Sequence, residues 1–409
     1  MDFNDSPAEA AFRARARAWL DANAPIAAPA SPADEAARLV EGKAWQAKKA
    51  EAGYACVTWP KEWGGVGGTP VEQVIFDAEE ARHGRTYPFF AIGLGMCVPT
   101  VMTFADDDTK RRFVAPAIRG EDIWCQLFSE PSAGSDVAAS RTRAVRAGDG
   151  SGDWIIDGQK VWTSGAHYSD FGIVLVRTDP DVPKHKGLTM FWVDMASPGI
   201  DVRPIHQASD ERDFNEVWFN GVRVPDSQRL GEVGQGWTVA LVTLMNERLA
   251  VGGGQGPNWA ELLALAQALP GLSGAGSALE DGGLREKLAD WYVAAQGLKY
   301  TRYRTMTGLG RGQTPGPESS IGKIVSARQM QDIGEEAMNR LDQYGILRDA
   351  GGPGLTPAFQ HNWFWGAALR IAGGTDEILK NVIAERVLGL PLDMRVDRDV
   401  AFKDIPRGA

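Results

Sequence analysis

Gln126-Leu127-Phe128-Ser129-Glu130-Pro131-Ser132-Ala133-Gly134-Ser135-Asp136 is followed, one small β-unit later, by Asp157-Gly158-Gln159-Lys160-Val161-Trp162-Thr163-Ser164. Between them lies a basic, turn-rich segment. Small hydroxyl residues, glycines and one tryptophan sit where two strands would begin and end. Hydroxyls and backbone N–H groups suit the heteroatoms of a planar, polar-edged cofactor, and the indole offers its ring a flat wall. Either half alone matches many polar loops by chance. The two in one chain point to a cofactor cradle.

Working outward, the segment 1–123 reads as helical. Pro7 to Ala14 opens an alanine-rich helix, and 35–52 forms another. Trp59-Pro60-Lys61-Glu62-Trp63-Gly64-Gly65 breaks the pattern. Thr69 caps a helix that has Pro70 at its first position and runs to about His83. A buried helix is expected over 92–104. A short one follows over 110–115, with Pro116 ending or kinking it. From about 124 to 227 the period changes. Trp154–Trp162 reads as strand, Asp-Gly turn, strand. The stretches 171–177 and 188–194 are apolar strands, and 217–225 reads as a hairpin with an Asn-Gly turn. These imply a small β-barrel or sandwich. Helices return over 237–251, 284–308, 320–341 and 375–388. The fold class is therefore mainly α with a central β-domain, divided as 1–123, 124–230 and 231–409. The block order helix, β, helix is not a βαβ alternation, so a Rossmann fold fits poorly. Gly231 to Gly236 reads as a linker.

The totals narrow the function. The 409 residues suggest two or three domains. A net charge of −10 argues against nucleic acid or an anionic membrane as the main partner. Three scattered cysteines without a CxxC pair, and five histidines, imply neither a metal site nor a disulfide framework. No apolar run reaches membrane-spanning length, and the first 17 residues lack an apolar signal core. The expected location is the cytoplasm.

These motifs, taken with two more, resemble the acyl-CoA dehydrogenase family over roughly residues 10–395. Phe128–Asp136 resembles its first signature, with Ser132 where glycine is usual, and Asp157–Ser164 its flavin-wall strand. Asn215–Pro225 resembles the end of its β-domain. Gly373-Gly374-Thr375-Asp376-Glu377-Ile378 and Ala384–Gly389 resemble its C-terminal signature. The resemblance implies an N-terminal helical domain, a central β-domain and a C-terminal four-helix bundle. It also implies FAD, an acyl-CoA substrate, an electron-transfer flavoprotein as acceptor, and a homotetramer or homodimer. By the same resemblance Gln126, Phe128, Ser129, Gly134 and Ser135 would touch the flavin and its chain. Trp162, Thr163 and Ser164 would form the flavin wall near N5. Thr375 and Glu377 would meet the other end of FAD, and Ser135 and Arg248 would lie along the CoA path.

The reaction implied is α,β-dehydrogenation, in which a carboxylate takes the α-proton. The family's usual base precedes Gly-Thr in the C-terminal signature, but this chain reads Ala372-Gly373-Gly374-Thr375 there. Some members place the base before an Arg on the first long helix after the β-domain. Asn246-Glu247-Arg248-Leu249 stands at that place, so Glu247 is the expected base. A helix carboxylate is ordinarily solvated, but Leu241, Val242, Leu244, Met245, Leu249 and Val251 make this stretch mostly apolar. The backbone N–H of Gly373 is the candidate donor to the thioester oxygen. The small Gly373 leaves room for branched, long or ring-bearing acyl groups. An Arg-x-x-Phe-Gly segment that often reaches a neighbour's FAD is replaced by Pro270 to Ser277. Two other readings stand beside the first: the FAD-binding subunit of a mixed hetero-oligomeric acyl-CoA dehydrogenase, and a flavin oxidase or monooxygenase on the same scaffold.

Overall fold

The computed structural model describes residues 5–24, 35–83, 87–250, 258–271, 274, 276–311, 316–347, 356–394 and 396–405, with the backbone alone at 247–250, 306, 309, 310, 319 and 356. Two compact units result. One joins Asp2–Gln207, Glu211–Ala250 and Asp393–Ala409, and the other is chiefly Val251–Leu392.

The first unit opens with α1 (Pro7–Asn23), α2 (Glu35–Glu51), α3 (Pro70–Glu80), α4 (Val98–Phe104) and α5 (Asp107–Ile118). Its caps are written in the sequence. Ser6 with Glu9, and Thr69 with Glu72, each close a reciprocal capping box, and Asp106 accepts from Thr109 N. The helix expected over 92–104 has a wide first turn: Gly93–Cys97 is π-helical and leads into α4. Pro116 does not end α5. The helix runs on to Ile118 because Phe113, Val114, Ala117 and Ile118 are all buried. Their burial outweighs the one backbone bond that proline forfeits.

The β-domain follows as β1 (Trp124–Leu127), β2 (Arg143–Arg146), β3 (Trp154–Ser164), β4 (Phe171–Arg177), β5 (Leu188–Asp194), β6 (Ile200–Pro204), β7 (Phe214–Val224) and β8 (Arg229–Leu230). They form one sheet in the order β6-β7-β3-β2-β4-β5-β8, with β1 parallel to β4. The expected barrel does not close; β6 and β8 end the order. Both expected hairpins are also corrected. β3 and β7 are single eleven-residue strands paired antiparallel. Asp157 faces Asn220 and Gly221 across a bulge, and its carboxylate accepts from Gly221 N at 2.9 Å. Gly158 has φ +148° and Gly221 φ +63°. Asp-Gly and Asn-Gly supply the positive φ that a turn and a bulge both need, so the dipeptides alone do not separate the two.

β4 is buried on both faces, which explains its unbroken apolar run. Ile173 and Leu175 join Val101, Phe113, Val114 and Val239 on the helical side. Val174 and Val176 join Ile156, Phe191, Val217 and Phe219 on the other. α6 (Gly236–Ala250) lies on the helical side. It starts so close to β5 that a Cβ on Gly236 would stand 2.5 Å from Thr189 N.

The second unit holds α7 (Trp259–Ala268), α8 (Gly282–Gly310), α9 (Ser320–Leu341), α10 (Thr356–Leu369) and α11 (Asp376–Arg386). α9 touches each of the other four. Leu262, Leu265, Leu284, Ile333, Ala337, Leu341 and Phe359 form the core. α7 and α10 were not expected from the apolar pattern. α7 nonetheless carries a capping box from Asn258 and Glu261, and α10 begins Thr356-Pro357. Trp363 and Trp365 ride on α10, Trp363 edge-on to Phe364 and Trp365 stacked on His361.

Candidate flavin and acyl-CoA site

The cradle starts at the end of β3. The β3–β7 ladder shifts register between Lys160 and Thr163. Val161 N leaves the ladder and donates to Ser129 O at 2.9 Å. Trp162 then takes φ +59°, a left-handed conformation that costs a bulky residue of order 1–3 kcal/mol. Its indole is 58% exposed and meets Phe214 only edge-on, at 6.0 Å. Thr163 beside it is 1% exposed, and its Oγ1 has no hydrogen-bond partner among the described residues. A strained backbone, an exposed flat ring and a buried hydroxyl unpaired among the described residues adjoin. The strain and the unmet hydrogen bond are each unfavourable without a ligand. Asn215 is buried and donates to Thr163 O at 3.0 Å, which fixes the strand end.

The loop after β1 supplies the rest. Gln126 is half-buried on β1 and Phe128 is core. Ser129 is half-buried and tied to Val161, while Gly134 and Ser135 are exposed. A Cβ on Gly134 would find nothing within 4 Å, so the loop faces open space there. Behind it lies a charged lock that the sequence reading passed over. Lys160 is fully buried in β3; its Nζ donates to Glu130 Oε1 at 2.8 Å and Phe128 O at 3.0 Å. Glu130 also accepts from Arg141 N at 2.6 Å and Thr142 N at 2.9 Å. Burial alone would raise the Glu130 carboxyl, but Lys160 and the two N–H groups hold it below the usual carboxylate range. Burial lowers the Lys160 ammonium, with Glu130 opposing. The signal available was a lysine one residue before Val161-Trp162 in a strand, where a buried position needs a partner.

In the second unit, Gly373 (φ +63°) and Gly374 (φ +90°) turn the chain into α11. Thr375 caps that helix through Ile378 N at 3.2 Å, and Glu377 is exposed in its first turn. Gly374 O accepts from Lys323 Nζ at 2.6 Å, and Asp376 accepts from Arg370 at 2.8 Å. Glu247 and Arg248 fall on α6, but their side chains lie outside the described residues. Asn246, one residue earlier, lines an open cleft of about 650 Å³ with Trp63, Pro99, Met102, Lys110 and Val242. Met96, Val98 and Thr100 are buried, and Thr100 Oγ1 meets Thr243 Oγ1 at 2.8 Å. Among the described residues no group of acidic, histidine or cysteine side chains is arranged to hold a metal ion. No helix among them is long and apolar enough to cross a membrane.

Comparison with known proteins gives three domain matches in order. Residues 6–121 match the acyl-CoA dehydrogenase N-terminal domain, 125–222 the middle domain and 234–388 the C-terminal domain. The chain belongs to the acyl-CoA dehydrogenase family. It is thus an FAD-dependent oxidoreductase acting on acyl-CoA, with that family's three-domain fold. It is 39% identical to acyl-CoA dehydrogenase FadE34 of Mycobacterium tuberculosis over 87% of this chain, yet spans only 47% of that protein. Against acyl-CoA dehydrogenase IpdE1 of the same organism it is 35% identical, over 94% of this chain and 98% of the relative. Among solved structures, one described as the Tcur3481-Tcur3483 steroid ACAD superposes with a TM-score of 0.78 at 27% identity, covering 96% of this chain and all of that one. The ChsE4-ChsE5 complex from Mycobacterium tuberculosis gives 0.78 at 26% identity over the same shares.

The residues present fit the flavin. The unpaired Thr163 hydroxyl is a buried donor or acceptor for a ring-edge heteroatom, and Trp162 offers a wall.

Proposed function

We propose that the protein oxidises an acyl-CoA thioester to its trans-2-enoyl-CoA, with Glu247 removing the α-proton. The observation that supports this reading is the bulge at Trp162–Thr163, a strained and incompletely satisfied surface that a planar polar ring would cover and satisfy. Bound FAD supplies the acceptor for the β-hydrogen, which leaves as hydride. Gln126, Phe128, Ser129, Gly134, Ser135, Trp162, Thr163 and Ser164 would hold it on the β-domain side, and Thr375 and Glu377 at its other end. The α C–H is a very weak acid in water. A carboxylate in a dry pocket, where its pKa rises towards the working pH, suits its removal, and Glu247 stands in a mostly apolar stretch of sequence. The N–H of Gly373 would donate to the thioester oxygen, where negative charge develops. Ser135 and Arg248 would hold the CoA portion. The boundaries at 123/124 and 230/231, a cytoplasmic location and an electron-transfer flavoprotein as acceptor belong to the same proposal.

The substrate reading is a bulky, ring-bearing acyl group. It is supported by the small Gly373 where the family's usual base stands and by a neighbour described as a steroid ACAD. For assembly, a homotetramer or homodimer is one reading. A mixed complex of two different chains is favoured by two neighbours whose descriptions each pair two components. The test is Glu247→Gln. That variant should bind acyl-CoA with near-normal affinity and fail to bleach the flavin under anaerobic conditions. Bleaching at the parent rate removes Glu247 as the base.

A further inference from the structure

The C-terminal residues 396–405 return to the β-domain and close on the connection between β4 and β5. Ala401 bridges Pro183, Phe402 N donates to Val182 O at 2.9 Å, and Lys403 N donates to Pro180 O at 3.0 Å. Two side chains of this segment complete contacts that end on the loop after β1. Lys184 Nζ lies between Asp136 Oδ2 at 2.7 Å, on that loop, and Asp397 Oδ2 at 2.5 Å. Burial would lower the Lys184 ammonium, but the two carboxylates hold it above its ordinary value. The Phe402 ring covers the Arg177 guanidinium at 3.8 Å. Arg177 in turn donates to Ala138 O at 2.6 Å, Ser140 O at 3.2 Å and Lys184 O at 2.6 Å. Burial pulls Arg177 down to about 10, so an apolar lid over a cation already short of water replaces solvent by a cation–π contact.

We propose that the segment 396–405 is a strap that sets the cofactor loop, with Asp397 acting through Lys184 and Phe402 acting through Arg177. The inference rests on the reading of Ser129–Ser135 as flavin-holding. The inner end of that loop is fixed by the buried Lys160–Glu130 pair. Its outer end, residues 136–140, is held by Lys184 and Arg177, each completed by one strap residue. Pro131, Ser132, Gly134 and Ser135 are exposed between the two anchors. Glu130 also ties Arg141 N and Thr142 N beyond the loop, so the strap adds to an existing closure. Without Asp397 and Phe402 the Lys184 and Arg177 anchors at residues 136–140 are incomplete, more of the loop's order must come from the ligand, and affinity falls accordingly. Asp397 and Phe402 are thus positioning residues.

The experiment measures FAD affinity by flavin fluorescence on the full-length chain stripped of cofactor, at a temperature well below its unfolding midpoint. Asp397→Asn, Phe402→Ala and the double variant are compared with Asp397→Glu, Phe402→Tyr and Thr163→Val. The expected result is a Kd raised roughly tenfold in the double variant, intermediate values in the singles, and recovery to near the parent in the two conservative variants. The single variants and the midpoints separate loop ordering from loss of fold. A raised Kd for Thr163→Val with parental Kd in every strap variant overturns the strap and leaves the flavin site standing. An unchanged Kd throughout overturns the flavin site and the strap together. A lowered midpoint with unchanged Kd makes the strap a purely structural element and overturns its positioning role.

Discussion

Lys160→Met should destabilise the β-domain sharply and loosen the loop that carries Ser129 and Ser135. The side chain of Lys160 is 0% exposed and that of Glu130 4%, so neither charge can turn to solvent when its partner goes. Removing one member of a buried pair costs roughly 3–5 kcal/mol. Glu130 would keep its bonds from Arg141 N and Thr142 N, which places the cost near the low end, about 3 kcal/mol. At roughly 2 °C per kcal/mol for a unit of this size, the midpoint should fall by about 6 °C. Thermal unfolding followed by circular dichroism on the cofactor-free chain reads this directly. The double variant Glu130→Gln with Lys160→Met removes both charges and should recover at least half of the loss. Glu130 is held below its unfolded pKa in the folded state. Its contribution is therefore present above that unfolded value and lost as the pH falls below it. The double variant should lack that acid slope. A Lys160→Met midpoint within about 1 °C of the parent, or strictly additive single and double variants, would refute the reasoning.

Two further outcomes follow from the same structure. Thr163→Val deletes a buried hydroxyl that has no partner among the described residues, so cofactor-free stability should be unchanged or rise by about 1 kcal/mol, while FAD affinity falls about five- to tenfold; calorimetry and flavin fluorescence check the two halves. The Glu79 carboxyl is held at about 2, first by Arg17 and then by Arg13. Its stabilisation is fully present above the ordinary carboxylate pKa of about 4.3 and disappears as the pH falls towards 2. Glu79→Gln should therefore be less stable than the parent at pH 7 and converge with it in acid denaturation.

Much of the fold was legible because local chemistry and tertiary need agree. Thr69 with Pro70 at the first helical position starts α3 where the cap predicts, and the apolar run of β4 is buried on both sides. The failures share a cause. Asp157-Gly158 and Asn220-Gly221 offer positive φ, and only the partner strand decides between turn and bulge. Pro116 continues its helix because four neighbours are buried beneath it. The site was legible as a motif, not as a mechanism of support. Trp162 and Thr163 stand out in sequence, while Lys160, Arg177 and Phe402 gain meaning only when residues far apart in the chain meet. Phe402 lies 225 positions from Arg177, counted as 402 − 177, and no local period could link them.

Desaturation of acyl-CoA by an FAD held in this chain is read from the anaerobic visible spectrum of the protein purified alone and titrated with acyl-CoA thioesters, from butyryl to ring-bearing. The expected result is a bound flavin that bleaches, most completely with the ring-bearing acyl groups. A bound flavin that no thioester bleaches would contradict it and favour an oxidase or monooxygenase. A colourless protein that also fails to take up added FAD would contradict the cofactor site in this chain and move the flavin to a partner.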